Sequence, residues 1–143
     1  MIYTQMTKEA MKLCYDAHKD QVDKSGLPYV FHPIHLAEQM EDEETTIVSL
    51  LHDVVEDSNY TFKDLEVMGF SERILAALKL LTHEKGVSYM EYIAKIKEDP
   101  IARIIKLADL AHNSDLSRLD EVDEKAIRRA TKYAKAIQLL NKI

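Results

Sequence analysis

The chain has 143 residues with 25 acidic against 19 basic side chains, a net charge of −6, and this excludes a general polyanion-binding surface and with it a nucleic-acid partner. Its single cysteine, Cys14, excludes an internal disulfide, so a reducing, cytoplasmic setting is expected. The longest apolar stretch, residues 74–81, is interrupted by Lys79 and is far too short to cross a bilayer, and no leader-like segment opens the chain, so no membrane association is expected.

Only three glycines and three prolines occur, and apolar residues recur at helical rather than alternating spacing, so the fold class reads as all-α. A first helix is predicted over 7–19, with Met11, Leu13, Cys14 and Ala17 as core positions, ending in the turn Lys24-Ser25-Gly26-Leu27-Pro28. A second begins near Pro33, where a fixed φ suits the first helical position, and a third spans 44–56. Thr61 with Asp64 caps a short helix ending near Gly69; Ser71 caps a helix over 72–83; Ser88 with Glu91 forms a capping box. Pro100 suits the start of a long helix through Leu110. The last helix, over 122–142, carries Ile127, Ala130, Ala134, Ile137 and Leu140 as its apolar stripe. No repeat, low-complexity tract or linker divides the chain, so residues 1–143 are expected to form one domain.

Chemistry concentrates in Leu50-Leu51-His52-Asp53-Val54-Val55-Glu56-Asp57. On a continuous helix, residues three and four apart share a face, so Glu56 comes up beside His52 and Asp53, and Asp57 beside Asp53. Leu50, Leu51, Val54 and Val55 would bury the opposite wall. A histidine upstream in Phe31-His32-Pro33 and an aspartate downstream in Leu107-Ala108-Asp109 complete a candidate metal set of His32, His52, Asp53 and Asp109. Two imidazoles and two carboxylates suit Mn²⁺, Fe²⁺, Co²⁺ or Zn²⁺ better than Mg²⁺. A bound divalent ion activates water and clamps a phosphoryl oxygen, which points to phosphate-ester hydrolysis. Glu56 and Asp57 are then candidates to hold or deprotonate that water, or to protonate the leaving oxygen. Taken singly, each residue has a plainer reading: His32 as a helix-start residue, Asp109 as a partner for Lys106, Glu56 and Asp57 as a solvated helix end. Four ligand types in order on three apolar predicted helices favour the metal site.

The order His…His-Asp…Asp resembles that of the HD-domain metal-dependent phosphohydrolases. Longer stretches narrow the resemblance: Ala17-His18-Lys19-Asp20-Gln21, Lys24-Ser25-Gly26, Pro28-Tyr29-Val30-Phe31-His32-Pro33, the eight-residue His-Asp segment, and Lys106-Leu107-Ala108-Asp109-Leu110-Ala111-His112-Asn113. Together they are similar to the hydrolase domain of the RelA/SpoT alarmone enzymes and their stand-alone small relatives, over nearly the whole chain. The resemblance implies a compact HD-domain bundle of seven or eight helices. It implies removal of the 3′-pyrophosphate from ppGpp or pppGpp with Mn²⁺ as cofactor and no synthetase activity. It also implies that His32, His52, Asp53 and Asp109 hold the metal, that Glu56 and Asp57 position and activate the water, and that Lys24, Ser25 and Asn113 meet the nucleotide substrate. One departure stands out: where the family usually has Arg-Lys-Ser-Gly, this chain has Asp23-Lys24-Ser25-Gly26. A carboxylate cannot supply a flat guanidinium, so another nucleotide or phosphorylated small metabolite is the alternative substrate, with Arg103, Lys106, Arg118 and Lys85 as candidates to restore the charge. His18 and His112 are expected to form hydrogen bonds behind the ligands, and Tyr89 and Tyr92 to edge a nucleotide pocket or pack in the core. Exposed apolar helix faces would favour a homo-oligomer.

Overall fold

The structure, a computed structural model, describes residues 1–142, and among them it is all-helical. Its helices are α1 (Gln5–His18), α2 (Phe31–Glu38), α3 (Glu43–Leu51), the single turn α4 (Val54–Asp57), α5 (Phe62–Val67), α6 (Glu72–Leu81), α7 (Tyr89–Lys97), α8 (Pro100–Asn113) and α9 (Glu124–Asn141), with a 3₁₀ turn at Leu116–Arg118. The one extended pairing among the described residues is an isolated bridge between Val22 and Pro28.

Helix starts follow local chemistry. Thr61 and Asp64 form a reciprocal capping box, and Ser71 and Ser88 accept from Ile74 N and Glu91 N. Asp99 caps α8 through Ile101 N and Ala102 N, with Pro100 at its first position. The first helix begins earlier than expected because Thr4 and Thr7 form a further capping box.

At the centre lies α3, packed against α1, α2, α6 and α8. Every residue from Thr45 to Leu51 is buried, so this stretch has no wet face, and its two threonines bond locally. Thr45 Oγ1 donates to Asp42 Oδ1 (2.7 Å) and Thr46 Oγ1 to Asp42 O (2.6 Å).

The expected continuous helix over 44–56 is interrupted. It stops at Leu51, and Asp53 leaves helical geometry at φ −110°, ψ 1° before α4 resumes. The His52 ring supplies a local reason, since its Nδ1 lies 2.7 Å from Ser49 O and takes a carbonyl that the helix end leaves free. Two other expectations shift: the helix expected to reach His83 ends at Leu81, and the buried stripe of α9 is Ala126, Ala136 and Leu140 while Ile127 stands exposed. Small residues sit where α9 meets α7 and α8.

Candidate metal centre and adjoining cavity

Three helices deliver one candidate ligand each. On α2, His32 shares the buried face with Pro33, Leu36 and Ala37. On α8, Asp109 falls on the same stripe as Ala102 and Ile105, positions spaced for one helix face. His52 stands at the end of α3. One donor atom from each of His32, His52 and Asp109 lies within 4.8 Å of the others, and all three residues are buried.

Each ligand is held by a partner behind it. With Nδ1 facing the Ser49 carbonyl, which can only accept, His52 carries a proton there and turns Nε2 toward the cluster. That Nε2 is a buried atom without a hydrogen-bond partner, although Asp53 Oδ2 lies 3.0 Å away and Asp109 Oδ1 3.6 Å. His32 Nε2 sits 2.9 Å from Asp109 Oδ1, and its Nδ1 is 2.7 Å from Nδ1 of His112. The two rings are nearly parallel, 5° apart, so the hydrogen bond expected of His112 is present. Asp109 Oδ2 accepts from Lys106 Nζ (2.9 Å), and Asn113 Nδ2 donates to Oδ1 (3.0 Å). The plainer reading of Asp109 as a partner for Lys106 is thus also true. A buried imidazole nitrogen facing a second imidazole and carboxylates is a donor set that suits a divalent transition metal, and the cluster fits such an ion.

Electrostatics follow from this crowding. Burial disfavours charge on His52, but the carboxylates of Asp53 and Asp109 outweigh it and raise its pKa well above the ordinary value. Burial likewise opposes ionisation of Asp53, yet the His52 imidazole holds it down to about 2. Lys106 and the two imidazoles overcome burial at Asp109 and hold it well below the usual range. His112 is lowered to about 4, first by burial and then by Arg118.

The remaining expected residues divide. Asp53 stands beside His52 but outside the three-way cluster, and the Tyr29 hydroxyl donates to its Oδ2. Glu56 Oε1 accepts from His83 N at 2.6 Å, which ties α4 to the segment after α6. Asp57 lines a separate cavity with Asp16 and Tyr60, and burial together with the charges of Asp53 and Glu56 raises its pKa to about 6. Lys24, Ser25 and Asn113 do come together with His32, along one cavity of about 320 Å³. Gly26, at φ +80°, closes the turn that carries the first two, a left-handed position that suits glycine. Arg129 and Tyr133 of α9 line the same cavity. Sequence reasoning missed both, because a cation and an aromatic on an amphipathic helix carry no local mark of a site. Tyr92 is core, its hydroxyl donating to Leu81 O at 2.6 Å, and Tyr89 packs beside it. Neither lines the cavity.

No family model matches the chain. It is 34% identical over 120 residues to the bifunctional (p)ppGpp synthase/hydrolase SpoT of Escherichia coli K12, covering 74% of this chain and 17% of that protein. It is 31% identical over 118 residues to the guanosine-3′,5′-bis(diphosphate) 3′-pyrophosphohydrolase of Aquifex aeolicus, again 74% and 17%. The protein so named from Borreliella burgdorferi is 37% identical over 120 residues, 73% and 18%. The chain thus spans about a sixth of the length of these curated relatives. A solved structure described as a metazoan orthologue of SpoT that hydrolyses ppGpp superposes with a TM-score of 0.78 at 25% identity, covering 99% of this chain and 88% of that one. Fold, ligand order and sequence agree, and the chain belongs to the RelA/SpoT-like HD-domain family.

Proposed function

We propose that this chain is a metal-dependent hydrolase that removes the 3′-pyrophosphate from ppGpp or pppGpp to give GDP or GTP, with Mn²⁺ held by His32, His52, Asp53 and Asp109. The observation that carries the reading is the buried convergence of His32, His52 and Asp109 behind a cavity of about 320 Å³ that His32 itself lines, large enough to admit part of a nucleotide. The names of the relatives and of the structural neighbour point to the same substrate. When bound, the ion would polarise the phosphoryl group and favour ionisation of a water.

The chain's own residues do the rest. Ser49 O and the Tyr29 hydroxyl orient His52 and Asp53, while Lys106 occupies one oxygen of Asp109 and leaves the other for the site. Asp57 lines a neighbouring cavity yet feels the charges of Asp53 and His52, and a carboxyl group titrating near 6 is well matched to proton transfer near neutrality, which favours it as the group that takes a proton from the attacking water. Glu56, with Oε1 held by a backbone N–H, keeps Oε2 to orient that water. The water oxygen forms a bond to the phosphorus attached at the 3′ position, the bond from that phosphorus to the 3′ oxygen breaks, and pyrophosphate departs while the 3′ oxygen takes a proton. Lys24, Ser25 and Asn113 contact the nucleotide. The hydrolase chemistry is carried by one domain, residues 1–143. Its buried Cys14, pushed up to about 12 by burial and the nearby Asp53 charge, is suited to a reducing cytoplasm as an unreactive thiol. Among the described residues no helix is long and apolar enough to cross a membrane.

A second reading, hydrolysis of another phosphorylated nucleotide, is favoured by Asp23, a carboxylate on the cavity wall. A panel of nucleotides incubated with the protein and Mn²⁺, scored separately for phosphate and pyrophosphate, tests both. Pyrophosphate released from ppGpp and abolished by His52→Ala is the expected result; release only from other nucleotides would favour the second reading, and no release from any would reject both.

A further inference from the structure

The cavity wall holds a pair of charges that the mechanism leaves unused, Asp23 and Arg118. Asp23 Oδ1 accepts from Ser25 N (2.8 Å) and Leu27 N (3.0 Å), which shapes the turn. Its other oxygen lies 3.7 Å from Nη2 of Arg118. Nη1 of that guanidinium donates to His112 O at 2.8 Å, at the end of α8, and sits 3.5 Å from Asn113 Oδ1. Ser25 Oγ donates to Arg118 O at 2.6 Å and ties the two segments together. The guanidinium is thus fixed from three sides on the wall of the 320 Å³ cavity.

Other cations are spent elsewhere. Arg103 Nε donates to Leu140 O, Lys106 is committed to Asp109, and Lys85 does not line this cavity.

We infer that Arg118, held in place by Asp23, is the flat group against which the purine base of a nucleotide packs in this cavity; the inference rests on the proposed nucleotide substrate. Charge decides between base and phosphate. The positive charge of Arg118 is already met by a carboxylate and by a helix-terminal carbonyl, so it offers a further anion little. Lys24 and Arg129 line the same cavity and have no carboxylate within 4.0 Å among the described residues, so phosphates are drawn to them instead. Pairing in the plane of the guanidinium leaves its flat face free to stack on an aromatic ring. Leu116 and Leu119, flanking Arg118 on the same wall, add apolar surface that suits an aromatic ring and not a phosphate. Asp23, anionic in a cavity for a polyanion, is therefore a positioning residue, with Arg118 and the turn amides absorbing its charge.

Calorimetric titrations of the Mn²⁺-loaded protein with GDP, ADP and inorganic pyrophosphate test this, on wild type, Arg118→Ala and Arg118→Lys, alongside ppGpp hydrolysis by the wild type. Wild type should bind both nucleotides more tightly than pyrophosphate. Arg118→Ala should weaken GDP and ADP about fivefold to tenfold, the size of a stacking contact, while pyrophosphate changes less than about twofold. Arg118→Lys, which keeps charge but loses the plane, should match Arg118→Ala. An equal loss for pyrophosphate, recovery by Arg118→Lys, or wild-type nucleotide binding no tighter than pyrophosphate would each overturn the inference. Hydrolysis of ppGpp with nucleotide binding insensitive to Arg118 would reject this inference alone. Arg118-dependent nucleotide binding without ppGpp hydrolysis would reject the pyrophosphohydrolase reading alone.

Discussion

Replacing Asp109 with Asn separates the two roles of one carboxylate. Asp109 is 6% exposed and meets Lys106 at 2.9 Å, His32 at 2.9 Å and Asn113 at 3.0 Å. The amide keeps the shape but leaves the Lys106 ammonium, itself only 13% exposed in its side chain, without an anion. Breaking a buried pair by removing one partner costs about 3–5 kcal/mol. The Tyr92 ring at 5.2 Å gives the ammonium a residual partner, so the low end applies, about 3 kcal/mol. For a domain of this size that is a fall of roughly 6–12 °C in Tm without metal. The second role appears on adding Mn²⁺. A ligand at 100 times its Kd stabilises the folded state by about 2.7 kcal/mol, and wild type should show a matching upward shift that Asp109→Asn lacks. Thermal melts by circular dichroism, with and without Mn²⁺, read both effects. An unchanged metal-free Tm would refute the buried-pair argument, and a full Mn²⁺ shift in the variant would refute Asp109 as a ligand.

Leu51, 1% exposed and adjacent to His52, should lose about 2–5 kcal/mol on truncation to Ala, measured by urea denaturation. Asp99→Ala removes the cap of α8 and the partner of Arg73, which holds Asp99 at 2.8 Å and 2.9 Å, and should cost about 1–2 kcal/mol in the same assay. Asp57 titrates near 6 in the fold against an ordinary 3.8, so between these values the native state binds more protons than the unfolded one. That contribution makes metal-free stability fall as pH rises across the window, and Asp57→Asn should flatten the decline. A pH–stability curve identical to wild type in that variant would show that Asp57 is not perturbed.

Local rules carried most of the fold. Threonine and serine caps at 61, 71 and 88 and the proline at 100 start helices where their chemistry requires. The break at Asp53 was not legible, because its local cause is a side chain, His52, competing for a carbonyl at the end of a helix buried on all sides. The convergence of His32 and Asp109 with His52 was legible for a different reason: His32 and Asp109 are polar residues at positions of core stripes, a conflict that local packing does not explain. Arg129 and Tyr133, which line the cavity, read as surface in sequence, and Arg118 was one of four candidate cations among which sequence could not choose. Nothing in a 3₁₀ turn or the outer face of a helix announces that a distant turn will fold against it.

The most direct measurement is anomalous diffraction at the manganese edge from crystals grown with Mn²⁺. One peak within coordination distance of His32 Nε2, His52 Nε2 and Asp109 Oδ1, with Asp53 as a further ligand, is predicted. A peak lying elsewhere, or none at saturating Mn²⁺, would contradict the account.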